Sequence, residues 1–291
     1  PEDVRPGVRQ NFANWFSYYR TRQFAARAGI AEAFQVLDDG IRVGWGAINA
    51  DNTGEVVDDT LVQGVRPFNS TGSENFREWL YNRQAIGGTP LRTSLDDIGR
   101  YFEDDTDDGP WSDDPLNGKS DNSHAACRQS FSILMTDGFW NSWSPGVGEV
   151  DNTSGSTIAN DGEGSDFQYS PVEPFADGRS NTLADVAMRY WKRDLRSDLD
   201  NIVPNSGANP AFWQHMVTYG VGLGVSGSVN PQDAFDAIDT NSQINWGDPF
   251  SPGDGKIDDL LHAAVNGRGG FFSANSPDVF ANELGSVLEE I

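Results

Sequence analysis

Apolar residues recur at mostly three- to five-residue intervals through residues 9–37, where Phe12, Phe16, Tyr19, Phe24, Ala28, Ala31 and Phe34 share one side. That spacing predicts a single long amphipathic helix, ended by Asp38-Asp39-Gly40. Ile41, Val43, Trp45 and Ala47 then alternate with polar or glycine positions, the period of a short strand over 41–49. A polar connection leads to a second helix over 73–85, with Phe76, Trp79 and Leu80 on one side. Gly87 and Gly88 feed a third helix over 87–102, with Pro90 near its first turn.

Residues 103–124 are dominated by Asp, Gly and Pro and offer little from which to build a core, so they read as an exposed insertion. The compact apolar run Ser130–Gly138 (SFSILMTDG) has the form of a buried strand opening into a loop at Asp137-Gly138. A second Gly/Ser/Asp/Pro-rich insertion follows over roughly 141–180. Leu183, Val186, Ala187 and Tyr190 mark a helix over 182–196, and 215–225 (HMVTYGVGLGV) is a glycine-punctuated, β-branched strand. Helices are predicted at 231–238 and 257–267 and an extended segment at 269–274. A last helix runs over 276–291, capped by Ser276 with Pro277 at its first position. Strands separated by helices imply a doubly wound α/β fold, a mainly parallel sheet with ligands at the carboxyl ends of its strands. That rim holds Thr89 and Asp137.

Composition narrows the partners. The 44 acidic against 20 basic residues give a formal charge of −24, which repels nucleic-acid phosphates and anionic membrane surfaces. The aromatic content, with 17 Phe, 9 Trp and 7 Tyr, belongs to a folded globule. No apolar run is long enough to span a bilayer and no signal segment is visible. The opening PEDVRPGVRQNF has no initiator Met, and we expect a segment upstream of it that carried the targeting information. Cys127 is the single cysteine, which excludes an internal disulfide framework and a cysteine-based zinc site.

An Asp carboxylate and a Thr hydroxyl on one rim are hard oxygen ligands of the kind Mg²⁺ and Ca²⁺ take, although Thr before a helix is ordinarily a cap and Asp-Gly ordinarily a turn. Phe139, Trp140 and Trp143 either form a ligand-contacting ledge beside that rim or pack beneath the insertion. The acidic stretch 103–115 fits a calcium loop only in part, with Pro115 where a Glu is needed, and Asp248, Asp254 and Asp258 lack the spacing altogether. Capping by Asp254 or the acids after it is the simpler account there. His124, His215 and His262 are dispersed, and His124 with Cys127 makes at most a bare pair, so no enzyme is expected. Gly220–Gly227 lacks a phosphate loop's Lys and reads as close packing.

The segments GGTPLRTSL (87–95) and ILMTDGFWN (133–141) resemble the second and third pieces of the metal-ion-dependent adhesion site of von Willebrand factor A-like domains. The resemblance implies that Thr89 and Asp137 contact a divalent cation directly or through water. The first piece, Asp-x-Ser-x-Ser, does not occur, and the near match Asp151–Ser156 (DNTSGS) has one residue too many and follows a loop. The first strand and its motif are therefore expected upstream of Pro1. RQNFANWFSYYRTR, TPLRTSL, CRQSFSILMTDGFWN, DVAMRYWKRDLR, PAFWQHMVTYGVGLGVSG and GKIDDLLHAAVNGRGGFFSA, taken in order, resemble the N-terminal region of the type IV pilus assembly and tip adhesin family called PilY or PilC. That resemblance implies one von Willebrand A-like domain over 1–291 with insertions at about 103–127 and 141–181, and a β-propeller downstream. It also implies a secreted protein at the pilus tip that acts in assembly, surface attachment and surface sensing. Minor pilins and a host or abiotic surface ligand would be its partners.

Overall fold

The computed structural model describes residues 6–19, 21–37, 40–49, 60–84, 87–115, 122–141, 143–162, 164–274 and 277–290. Two helices, α1 (Pro6–Tyr19) and α2 (Arg22–Ala33), stand where one was expected. The break falls at Thr21, whose extended backbone (φ −127°, ψ 154°) leaves the helix while its hydroxyl accepts from the Phe24 amide and starts a new one. Strand β1 (Arg42–Gly46) pairs antiparallel with β2 (Leu61–Pro67), a strand the polar look of 50–72 concealed. Helices α3 (Ser70–Asn82) and α4 (Leu91–Tyr101) follow, the first capped by the Asn69 side chain and so begun earlier than expected.

β3 (Phe131–Thr136), β4 (Val217–Leu223) and β5 (Arg268–Ala274) form a parallel sheet in that order, with α5 (Leu183–Trp191) between β3 and β4 and α6 (Pro231–Thr240) and α7 (Gly255–Asn266) between β4 and β5. α8 (Pro277–Glu290) ends the described chain, and its expected cap Ser276 lies outside the described residues. The architecture is mixed α/β with a parallel sheet, as expected, but that sheet has three described strands, and β1–β2 is a separate antiparallel pair.

Helices cover both faces of the parallel sheet. Val217, Tyr219 and Val221 of β4 join Phe272, Ala274 and the α2–α8 pair in one cluster. On the other face Leu134 packs with Leu95, Leu183, Tyr190 and Leu260 from α4, α5 and α7. Gly220 lets α7 approach, since a Cβ there would meet the Leu260 carbonyl oxygen at 3.0 Å. Gly220, Gly222 and Gly227 are close packing, as read from the sequence, whereas Gly224 has open space around it and a left-handed φ of +65°.

The two insertions are not merely exposed. Trp111 in the first is 1% exposed and its indole donates to the Phe102 carbonyl at 2.8 Å, while Arg42 and Arg128 both donate to the Pro110 and Ser112 carbonyls. Val150, Ile158, Tyr169 and Phe175 of the second pack with Trp191, Trp213 and Trp246 in a third cluster. A few large rings supply the buried area that the count of apolar residues did not suggest.

β3 and β1 are both edge strands. A cavity of about 760 Å³ is lined by every residue of both, together with Leu95, Ile98 and Leu288. The whole of β1 and the residues Phe131, Ile133 and Met135 of β3 are left half-buried along it.

Candidate metal-binding rim

Thr89 and Asp137 both line this cavity, from two loops that follow different logic. Asp137 follows β3 directly, and the Thr136 hydroxyl folds the chain back there, donating to the Gly138 carbonyl (3.0 Å) and accepting from its amide (3.2 Å). Thr89 precedes α4 in a loop that Gly87 enters with φ +72°, a left-handed backbone that favours glycine. Pro90, not Thr89, occupies the cap position of α4, and it makes no side-chain capping bond.

Asn141 joins the two loops. Its amide donates to the Thr89 carbonyl and its side-chain Oδ1 accepts from the Thr89 amide, both at 2.9 Å. From the β1 side the Asn49 amide group donates to the Gly88 carbonyl. The Asp137 carboxylate is 59% exposed, and Arg22 of α2 lies 4.0 Å from it, its guanidinium also donating to the Asp137 carbonyl at 2.8 Å. Thr89 and Asp137 both line this cavity, and the sequence passed over Asn141 and Arg22. Asn141 lay inside the quoted motif, but nothing in its spacing says which backbone its side chain meets.

The aromatics after Asp137 divide. Phe139 and Trp143 are exposed, Trp143 with a left-handed φ of 44°. Trp140, the other aromatic expected either to contact a ligand or to pack under the insertion, is 3% exposed. Its indole donates to Asp259 Oδ2 at 3.0 Å, and the Arg92 guanidinium lies 3.9 Å from its ring centre. Asp259 also accepts from the Leu183 and Ala184 amides at the N-terminus of α5, where the helix dipole favours a carboxylate. Burial nevertheless pushes the Asp259 carboxyl up to about 7. Trp140 is thus an anchor under the rim.

Other sequence candidates are taken up by structure. His124 bonds Asp107 through Nε2 (3.1 Å) and Arg196 through Nδ1 (2.8 Å), which stitches the acidic insertion to the loop after α5. His215 and His262 are buried, held to about 4 and about 3 by desolvation, and bonded to the Trp213 and Phe175 carbonyls. Cys127 is exposed. Asp254 makes no side-chain capping bond, and Asp258, within α7, instead accepts from the Val229 amide in the loop before α6, so the expected helix capping by these acids is replaced by a loop-to-helix bond. Among the described residues no three His, Cys, Asp or Glu side chains converge as a metal site. Thr89 and Asp137 are a donor set of the right chemistry for a hard cation, and incomplete on their own.

Three curated proteins from Pseudomonas aeruginosa match the chain along nearly its whole length. The type IV pilus biogenesis factor PilY1 of strain PAK is 36% identical over 308 residues, covering 97% of this chain and 26% of the relative. Those of strains PAO1 and UCBPP-PA14 are 36% and 34% identical, each over 97% of this chain and 26% and 25% of their own lengths. The chain belongs to the PilY1 family. It spans about a quarter of the length of these PilY1 relatives. No family model matches the chain, and no solved structure does. Among the described residues no helix is long and apolar enough to cross a membrane.

Proposed function

We propose that this chain is a von Willebrand factor A-like binding module that serves type IV pilus biogenesis and surface attachment, through a divalent cation held at the Thr89–Asp137 rim. The observation that supports the reading is the joining of the two loops through Asn141, with Thr89 and Asp137 both lining one cavity. That the relatives are type IV pilus biogenesis factors supports the pilus role. Minor pilins and a host or abiotic surface ligand are the partners this reading calls for, and the extracellular pilus tip is its place.

The cavity supports the fold assignment. An extended strand from elsewhere in the polypeptide, set between β1 and β3, would pair with both edges and cover the half-buried Val43, Trp45, Ile133 and Met135. An Asp-x-Ser-x-Ser motif at its end would add the oxygen ligands that Thr89 and Asp137 lack. The bound Mg²⁺ or Ca²⁺ would supply a positive centre for a partner's carboxylate.

A second reading, a metal-independent structural or mechanosensing part of the pilus tip, is favoured by Arg22, a protein cation already beside Asp137. A metal-assisted hydrolase is disfavoured because the ring nitrogens of His124 and His215 are all committed to bonds and His262 is buried under Trp246. Isothermal titration of Mg²⁺ and Ca²⁺ into the full-length protein decides the matter. We expect binding that Asp137→Ala weakens by at least about tenfold, the worth of one charged ligand. Heat-free titrations with both ions would leave the metal-independent reading.

A further inference from the structure

We infer that Asn141 is a positioning residue, the clamp that holds the Thr89 loop against the Asp137 loop and so keeps both oxygens on one rim. Its purpose rests on the metal-dependent reading; its geometry rests on the hydrogen bonds alone.

The Thr89 loop has no ladder of regular structure to hold it in place. Residues 87–90 lie outside every helix and strand, and Pro90 at the start of α4 has no side chain able to cap. Asn141 supplies what a neighbouring strand would, one donor and one acceptor to the same residue: its amide reaches the Thr89 carbonyl and its Oδ1 reaches the Thr89 amide, each at 2.9 Å. Only a short side chain with an acceptor oxygen can do this from its own backbone position, which Asn and Asp share and Gln overshoots.

The clamp is itself anchored. The residue before it, Trp140, is fixed by Asp259 and Arg92, and its carbonyl accepts from Lys256 Nζ at 2.9 Å. Asn141 is four residues from Asp137, so a hold on Thr89 at one end of this short loop sets its distance from the carboxylate at the other. Gly88 is part of the same device, since a Cβ there would stand 2.7 Å from Asn141 Oδ1. Asn49 closes the loop from the opposite side by donating to the Gly88 carbonyl. Two amide side chains, one after β1 and one after β3, thus grip the two residues Gly88 and Thr89 across the cavity mouth.

Two measurements test the clamp. Amide hydrogen exchange, read residue by residue by NMR without added cation, reports the loop directly. Removing one hydrogen bond in Asn141→Ala, or wedging it open in Gly88→Ala, should speed exchange of the Thr89 amide by about tenfold. Asn141→Asp keeps the acceptor and should leave that amide close to the wild-type rate. Calorimetric titration of Mg²⁺ and Ca²⁺ into the full-length protein should then show weaker binding in Asn141→Ala, by about tenfold, and recovery in Asn141→Asp. Unchanged Thr89 exchange in both Asn141→Ala and Gly88→Ala overturns the clamp. Faster exchange in a protein that binds neither ion even as wild type upholds the clamp and overturns the metal reading instead.

Discussion

Asp151 opens the near match to Asp-x-Ser-x-Ser, and it is fully buried within the second insertion. It accepts from Asn266 Nδ2 at 3.2 Å and lies 3.9 Å from His262 Nε2, far from any ligand-binding role at the sheet rim. Burial, with Asp185 and Asp177 nearby, pushes it up to about 9. The folded protein therefore keeps a proton that the unfolded chain releases near its ordinary value of 3.8, so Asp151 costs stability progressively as pH rises from about 4 to about 9. Asp151→Asn should melt close to the wild type near pH 4 and several degrees above it at pH 8, by scanning calorimetry. A variant less stable than wild type at pH 8 would refute this account. The buried histidines act with the opposite sign: His215 and His262 stay neutral in the fold, so their contribution is lost as pH falls from 6.5 toward about 4 and about 3.

Elements whose hydrophobic period was clean were legible in the sequence. β3, β4, α5 and α7 fall where the apolar runs and the 3.6-residue spacing put them, because each buries a continuous face against the same sheet. The elements that escaped were those with a competing local signal. In β2, Gln63, Gly64 and Arg66 break the alternation, and the strand exists because β1 offers it a ladder. At Thr21 a capping bond outweighs an apolar stripe that runs on through it. The first insertion shows the same limit, since its core contribution is one ring. Trp111→Ala should cost about 3–5 kcal/mol in chemical denaturation, as for other buried Trp truncations, where an exposed insertion would give almost nothing.

At the scale of the whole molecule, the parallel sheet and the antiparallel pair face one cavity with an open edge on each side. Unpaired strand edges lined by half-buried apolar residues are costly and prone to pairing with another strand. In the full-length protein the amides of Arg42–Gly46 and Phe131–Thr136 should therefore exchange as slowly as those of the central strand β4. Exchange at the rate of exposed edges would argue against an inserted strand, and with it against the von Willebrand A-like completion of the site.

The sequence by itself determined that this is an α/β protein with a strand at β3, that it is related to the type IV pilus biogenesis factors PilY1, and that Thr89 and Asp137 are oxygen-bearing residues next to a helix and a strand. Those conclusions rest on local periodicity and on motif wording, which the chain carries without help from its fold. Only the tertiary structure decided that Trp140 turns inward, that Asp151 is a buried acid, and that Asn141 and not a helix cap holds Thr89. Each of these depends on which backbone groups and which apolar surfaces meet across dozens of residues. Hydrogen bonding and burial are properties of the place a side chain reaches, and no spacing along the chain specifies that place.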